Sequence, residues 1–564
     1  MESVVAGGHA ADLVPDRKGT DRNDTGAQGA EGRGSGQNGA VTGHGWLTLL
    51  AVGLGSMVVQ LDSSIVSIAN PAIALDLGAG LSQIGWVTTA YMLVLAGLLI
   101  PAGAIADRIG HKKSFLLGVG GFSIASVLCG MADSVEFLIG ARILQGVFAA
   151  LLSPAGLAVL RAAFPPDKLG MAFGIFGSVS AISIAGGPII GGVLVQYASW
   201  PWAFYINLPV GIVAVLVGAL VIRESERAPV TGRLDVLGAV TLTVTMVLLI
   251  VSISGVATYG WFAMPTLGLF LVGLALLAVF VLIERRASDP MVPLELFRNR
   301  TFSVGVVLMT VITLAFFAVL FYLTFYLQGV RGYTPIEAAV AMLPMTLVFA
   351  VSAPLAGLLA TRIGLRGTLV TGSVLTVVAL GMLVRLDAGS GFWTLAPALV
   401  IVGFGIGFVF VPAIEAIVGS APVEQAGAAS GIQGSTSQLG STFGVAIFGS
   451  VIATVVSSRF GGALTDAFAG KVLPPGVTVD QIAGQSQVRQ SVGLGFSPAM
   501  RDAVVETLTR SGLSDEQAGR MAATVAEAAH RTFLDGMHTV FLYAAGVAVV
   551  AGLISLLVGN GKKS

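Results

Sequence analysis

Residues 100–113, IPAGAIADRIGHKK, return in altered form at residues 354–367, PLAGLLATRIGLRG. Each copy follows one long apolar run and precedes another. Six residues recur at a constant offset along the chain, and in the first copy they are Ala102, Gly103, Ala106, Arg108, Ile109 and Gly110. Matching turns at matching places among apolar segments indicate an internal duplication. Two related halves of this kind are typical of membrane proteins built from repeated bundles of helices.

The composition places both halves in a lipid bilayer. Hydrophobic residues make up 55% of the chain and charged residues 11%, with a mean hydropathy of +0.89. Soluble domains carry about 25% charged residues. Apolar runs of roughly 20 residues can cross the hydrocarbon as helices, which satisfy their own backbone groups. The sequence predicts an all-α polytopic membrane protein with fourteen such helices, at residues 46–72, 84–106, 114–132, 137–160, 170–196, 202–222, 235–255, 262–283, 303–328, 336–360, 367–385, 393–417, 428–456 and 537–559.

The duplication divides these helices into domains. We expect an N-terminal six-helix half at residues 46–222, two inserted helices at 235–283 and a C-terminal six-helix half at 303–559. Within the last, we expect residues 457–536 to form a long extracellular loop with one or two amphipathic helices, which we interpret as a passive cap or spacer rather than a substrate-handling element. Residues 1–45 are rich in Gly, Asp and Arg and are predicted to be a disordered cytoplasmic tail.

Charge indicates the orientation and excludes some functions. With a cytoplasmic N-terminus, the loops on the cytoplasmic side carry most of the basic residues, and the short loops on the other side carry only Arg331 and Arg385. This bias predicts a multi-pass protein of the cell membrane with both termini inside. A formal net charge of zero argues against nucleic acid as a partner. No Cys/His spacing suggests a metal site, and Cys129 is interpreted as a packing residue.

Two ionisable residues fall inside the predicted hydrocarbon. Asp62 lies in the first helix and Arg142 in the fourth, at similar depths if a helix rises about 1.5 Å per residue. Such residues face the bundle interior and have a partner. We therefore predict that they share a polar site where Asp62 takes up and releases a proton, with a static ion pair as the alternative. Glu415, near the end of its helix, is a second proton-site candidate, although we favour interfacial solvation.

Small residues mark two further helix faces. Ser183, Gly187 and Gly191 are spaced by four, which permits close approach of another helix. Pro188 lacks a backbone donor and kinks the helix. Together with Gly192, this pattern predicts a packing hinge between the two halves. The thirteenth helix has a comparable small, polar face, which we expect to line a cavity or the seam between the halves, formed by Ser430, Gly434, Ser437 and Ser441.

Several motifs resemble those of the major facilitator superfamily. GAIADRIGHKK (103–113) resembles the signature between its second and third helices, and RILQGVFAA (142–150) resembles the Arg-x-x-Gln-Gly pattern of its fourth. GGPIIGGVL (186–194) resembles the Gly-Pro-x-x-Gly-Gly pattern of its exporters, with Ser183 where a glycine is common. Four other segments resemble the fourteen-helix drug:proton antiporter branch, namely LDSSIVSIANPAI (61–73), SWPWAFYINLPVGI (199–212), YLTFYLQGVRGYTP (322–335) and AGAASGIQGSTSQLG (426–440).

The resemblance implies roles for the motifs. In the signature turn, Asp107 would cap or pair with a neighbouring helix end and hold an outward-open state, and only the first copy keeps this acid, because the second has Thr361. The turn's other gating candidates are Gly103, Arg108 and Gly110. In the fourth helix, Gln145 and Gly146 become candidates for the substrate cavity. The energy source would be a proton gradient, without a cofactor, in a protein that works as a monomer.

The function that follows is a proton-coupled exporter of hydrophobic or amphipathic small molecules, such as drugs or a self-produced antibiotic. A proton-coupled metabolite transporter with a narrow substrate range or the opposite direction is the alternative on the same fold. A receptor or scaffold would not need a midplane Asp/Arg pair. Nothing in the sequence suggests an enzyme, since it has neither a nucleotide-binding loop nor a catalytic His/Ser/Cys set.

Overall fold

The computed structural model describes most of the chain, in the ranges 43–79, 81–224, 235–287, 290–469, 478–510 and 513–559. Every regular element in these ranges is a helix. Most of the tail predicted at residues 1–45 lies outside the described residues, so that prediction stays open. The N-terminal part of the bundle contains α1 (Gly43–Asp76), α2 (Leu81–Ile109), α3 (His111–Gly130), α4 (Val135–Ala163), α5 (Leu169–Tyr197), α6 (Trp202–Tyr205) and α7 (Asn207–Val221).

The remaining helices follow in chain order. Between the two repeated parts come α8 (Val236–Ser254), α9 (Val256–Tyr259) and α10 (Met264–Arg286). The C-terminal part consists of α11 (Arg300–Phe325), α12 (Pro335–Leu383), α13 (Phe392–Ile414), α14 (Ala426–Ala467), α15 (Val479–Gly484), α16 (Ser486–Gly493), α17 (Pro498–Arg510) and α18 (Asp515–Ser555). Two short π-helical turns, Tyr326–Val330 and Glu415–Gly419, extend α11 and α13.

Thirteen helical segments among the described residues are long and apolar enough to cross a membrane. One of them, Ile336–Leu383, is 48 residues long, far longer than the roughly 20 residues that a crossing needs. It is interrupted at Gly364, whose backbone is not helical (φ 79°). Counted on both sides of Gly364, the segments number fourteen, in agreement with the prediction from the sequence.

The repeated turn has the same backbone geometry in both copies. Gly110 separates α2 from α3 with φ 105°, and Gly364 interrupts α12 with φ 79°. Glycine tolerates this left-handed region because it has no Cβ. The positive φ explains why both copies of the turn carry glycine at this position.

The boundaries of the predicted loop at 457–536 need correction. α14 continues to Ala467 and α18 begins at Asp515, so both ends of that range are helical. Apolarity decides where a helix can meet lipid but not where it ends, and a capping box of Ser514 and Gln517 starts α18 well before its apolar part. Three short helices, α15 to α17, lie between them, where one or two were predicted.

Candidate functional site

Asp62 and Arg142 form a fully buried ion pair. Asp62 comes from α1 and Arg142 from α4, and both side chains have no exposed surface. Arg142 Nη1 donates a hydrogen bond of 2.5 Å to Asp62 Oδ2. The predicted contact is therefore present. A buried pair of this kind is stable only if the other polar atoms around it are also satisfied.

Amide side chains complete the shell around Asp62. The side-chain nitrogens of Gln145 and Asn207 both donate to Asp62 Oδ1, at 2.9 and 3.1 Å. Arg142 Nη1 also donates to Gln145 Oε1 at 2.6 Å, and Asn207 donates to Ser126 Oγ at 3.0 Å. The carboxylate thus has donors on both oxygens. Four helices, α1, α3, α4 and α7, contribute to this network, so a change at Asp62 would reach all of them.

The rest of the Arg142 side chain lies against backbone and aromatic groups. Its Nε donates to the Val87 carbonyl at 3.1 Å, and the guanidinium lies 4.1 Å from the centre of the Tyr91 ring. Among the described residues, Arg142 Nη2 has no acceptor. Sequence reasoning missed both Tyr91 and Asn207. A polar Asn207 at the start of an apolar helix was an available signal, whereas nothing in the local sequence marked Tyr91.

A large cavity lies beside this network. It has a volume of about 1360 Å³ and is lined by residues from both repeated parts of the bundle. The predicted small face of α14 lies in its wall, with Ser430, Gly434, Ser437 and Ser441. α1 contributes Gln60, Ser63 and Ser64, which flank Asp62 in sequence, but Asp62 itself does not line the cavity.

Gln145 and Gly146 do not belong to the cavity as predicted. Gln145 is fully buried and binds the ion pair. A Cβ at Gly146 would lie 3.0 Å from the Tyr91 carbonyl, so this glycine serves the close contact of α4 with α2. The residues of the Arg-x-x-Gln-Gly motif are present, but their spacing alone does not define the rotation of α4 that turns Gln145 and Gly146 away from the cavity.

The two repeated parts touch closely at the end of the bundle that carries the signature turn, here called the signature end. A Cβ added at Gly103 on α2 would overlap the carbonyl of Gly427 on α14. A Cβ at Gly357 on α12 would likewise overlap the backbone of Gly170 on α5. Gly103 and Gly357 are equivalent positions in the repeat. The seam is therefore closed at this end by two matching glycine contacts.

Asp107 strengthens one of these two contacts. Its carboxylate accepts hydrogen bonds from the backbone N–H groups of Gly427 (2.7 Å) and Ala428 (2.8 Å), at the N-terminus of α14. A carboxylate is favourable there because the first N–H groups of a helix lack partners within it. The imidazole of His111 lies 2.8 Å from the same carboxylate. The structure thus places Asp107 at a neighbouring helix end, where the resemblance put it.

The other residues of the turn have different surroundings. Arg108 lies in the last turn of α2, and Gly110 is the positive-φ residue that separates α2 from α3. Thr361, the counterpart of Asp107, is exposed and donates to the Leu358 carbonyl of its own helix at 2.7 Å. Thr361 therefore does not provide the helix cap that Asp107 provides at the first contact.

The hinge prediction for α5 needs correction. A Cβ at Gly187 would overlap the Ser64 side chain, and one at Gly191 would lie 3.1 Å from Ile65, both on α1 of the same half. Ser183 is buried and bonds to its own helix. A Cβ at Gly192 would lie 3.7 Å from Ile336 on α12, so this glycine faces the other half. Small residues show that a close neighbour exists but not which helix it is. The side chain of Pro188 lies outside the described residues.

Glu415 lies at the seam rather than beside the ion pair. It begins the π-helical turn after α13 and is partly buried. A Cβ at Gly170 of α5 would come within 2.7 Å of its carboxylate. Its neighbourhood is thus the second glycine contact. The structure does not bring it together with Asp62.

Comparison with known proteins decides the family. The profile of the Major Facilitator Superfamily matches residues 52–445. The chain belongs to this superfamily. Its members are membrane transporters, which confirms the prediction of a multi-pass transporter rather than an enzyme.

Relatives and structures agree with this assignment. The tetracenomycin C resistance and export protein of Streptomyces glaucescens is 40% identical over 517 residues, covering 91% of each chain. The methyl viologen resistance protein SmvA of Salmonella typhimurium is 33% identical, covering 82% of this chain and 92% of the relative. The crystal structure of the human organic anion transporter MFSD10 superposes with a TM-score of 0.53 at 15% identity, over 91% of this chain and 98% of that one. At that identity the similarity concerns the fold alone.

Proposed function

We propose that this superfamily member is a proton-coupled exporter of hydrophobic or amphipathic small molecules, such as drugs or a self-produced antibiotic. The observation that carries the proposal is the sealed Asp62–Arg142 pair directly beside a large cavity shared by both halves. Burying an ionisable pair inside a membrane bundle is costly, so its presence indicates a functional site. Export relatives such as the tetracenomycin C protein support the direction of transport.

The proposed topology places both termini and the signature end in the cytoplasm of a cell-membrane protein. The excess of Arg and Lys in the loops at that end supports this orientation. Since the seam is closed at the signature end, the structure would then represent the outward-open state. The halves at residues 46–222 and 303–559 would rock about the cavity to expose it to the cytoplasm, within a single monomer.

The proposed coupling step takes place at Asp62. In the outward-open state a proton from outside binds a carboxylate oxygen, which removes the charge that holds Arg142 Nη1. Arg142 Nη2 already lacks an acceptor among the described residues. Once Asp62 is neutral, the guanidinium would therefore move to bond with other acceptors. This rearrangement would reach α1, α3, α4 and α7 through Gln145 and Asn207. Release of the proton to the cytoplasm would restore the pair and return the carrier.

Everted membrane vesicles test this function. Vesicles energised by respiration are acid inside, and an added substrate of a proton antiporter releases protons that a pH-sensitive dye detects. We expect this response from the wild-type chain and none from Asp62→Asn. Substrate-driven proton uptake in the opposite sense would instead favour the metabolite symporter.

A further inference from the structure

We infer that the cavity selects neutral or anionic, oxygen-rich aromatic molecules and excludes permanent cations, and that Arg489 on α16 is the residue that favours an anionic group. This inference rests on the proposed function and adds the charge class of its substrate. It follows from the wall of the cavity and from the way α16 is held against it.

The wall of the cavity combines aromatic rings with hydroxyl and amide groups. α11 presents Phe317, Phe321 and Tyr322, while α14 presents Gln433 and Gln438 next to its serine face. Rings of this kind stack on flat apolar molecules. Serine and glutamine side chains donate and accept hydrogen bonds, so they match carbonyl and hydroxyl groups. Such a wall fits a polycyclic molecule that carries several oxygen atoms.

The cavity wall has no acidic side chain among the described residues. Asp62 is fully buried and does not line the cavity, and its carboxylate already accepts a hydrogen bond from Arg142. A permanent cation entering this space would lose water without gaining a counter-charge, which is unfavourable. Aromatic faces alone provide only a modest compensation. The charge of the wall therefore discriminates against cations.

Arg489 is the one charged side chain among the described lining residues. It lies on α16, between the ends of α14 and α18 that are remote from the signature end, and it shares the wall with Gly493 and Leu494. One of its nitrogens donates to the Gly484 carbonyl at 2.8 Å. A guanidinium carries five N–H donors, so this contact leaves others for a carboxylate, phenolate or carbonyl oxygen of a substrate.

The end of α16 and the segment after it are anchored in the core of the bundle, which makes α16 a fixed part of the wall. Val492 and Phe496 are buried at 0% and 2% exposure. Gly495, with φ 83°, allows backbone contact with Gly329 at the end of α11. The His530 ring nitrogen lies 3.2 Å from the Phe496 carbonyl. The interpretation of this loop as a passive cap therefore needs revision, because it contributes to the cavity.

Binding of two dyes to the purified full-length protein tests the charge class. The methyl esters of fluorescein and of rhodamine share the xanthene scaffold, but the first is anionic and the second cationic. Fluorescence polarisation should give a Kd for the fluorescein ester at least tenfold lower than for the rhodamine ester. Equal affinities, stronger binding of the cation, or binding of neither dye would contradict the inference.

Variants of Arg489 test its role. Arg489→Gln should raise the Kd of the anionic ester about five- to tenfold, the scale expected for one partly screened charge, and Arg489→Lys should restore most of the affinity. Arg501→Gln is the matched control, because Arg501 is exposed on α17 and does not line the cavity. An equal effect of Arg489→Gln and Arg501→Gln would refute the role of Arg489.

A gain of cation binding completes the test. Gln438→Glu introduces an acid into the wall and should improve binding of the rhodamine ester at least tenfold, whereas no gain would contradict the inference. These binding results are separate from proton coupling. If the cation bound best and still released protons in everted vesicles, the exporter proposal would stand and only the charge class would fail.

Discussion

Replacement of Asp62 by asparagine separates coupling from binding. Asparagine keeps the size of the side chain and one oxygen acceptor but cannot release a proton. In the structure Asp62 accepts from Arg142 on one oxygen and from Gln145 and Asn207 on the other. The single oxygen of the asparagine amide can accept either from Arg142 or from the two amide side chains, but not from both sides. A charge-assisted hydrogen bond worth about 1.5–3 kcal/mol is therefore lost.

The expected loss of transport can be stated as a ratio. One pH unit corresponds to about 1.4 kcal/mol, or a tenfold concentration ratio for each proton exchanged against an uncharged substrate. Wild-type proteoliposomes with a one-unit gradient should therefore approach about tenfold accumulation. Asp62→Asn should remain near a ratio of one, because no proton leaves its side chain. It should still exchange labelled for unlabelled substrate, since the cavity wall is unchanged.

The assay needs a control acid on the same helix. Asp76 also lies on α1 and accepts a hydrogen bond from Trp200 Nε1 at 2.7 Å, at the end of α1 rather than in the ion-pair network. Asp76→Asn should retain full accumulation, and circular dichroism and melting should show that both variants fold. Tenfold accumulation by Asp62→Asn would refute the coupling role of this carboxylate.

Three other predictions concern packing, gating and topology. Gly187→Ala should reduce transport sharply because the new Cβ overlaps Ser64. Gly186→Ala is the control and should transport normally, because its Cβ would meet Ile190 at 3.7 Å. Equal transport rates of the two variants would refute the packing role of Gly187. Asp107→Asn should shift the equilibrium away from the state with a closed signature end by about 2 kcal/mol, or roughly 30-fold. Spin-label distances across the seam measure this shift, and the control Thr361→Ala should leave the distances unchanged. In intact cells a cysteine at Asn299 should resist impermeant thiol reagents and one at Ser497 should react; reversed labelling would overturn the proposed orientation.

The bilayer made the fold predictable from sequence. Apolar length and the repeated turn are strong signals because a spanning segment must be both long and helical. The Asp62–Arg142 contact was predictable for the same reason, since a charge in hydrocarbon needs a partner. These inferences depend on the solvent and on helix rise, not on side-chain detail.

Helix rotation and neighbour identity could not be predicted in this way. Gln145 is one turn from Arg142, and only the rotation of α4 decides that it faces Asp62 instead of the cavity. The glycines of α5 indicate that another helix packs closely against them, but the sequence does not show that this helix is α1. Arg489 lies in a stretch of low hydropathy, where no bilayer constrains the fold, so its place in the cavity wall left no local signal.

The closed seam is symmetric in its glycines and asymmetric in its charge. Gly103 against Gly427 and Gly357 against Gly170 are related by the duplication, so both halves supply the same close helix contact. Asp107 caps the first contact, whereas its counterpart in the second copy, Thr361, bonds to its own helix through its hydroxyl. A different carboxylate, that of Glu415, lies beside Gly170 at the second contact. The asymmetry therefore predicts that loss of the Asp107 carboxylate weakens the contact of α2 with α14 and leaves the contact of α5 with α12 intact.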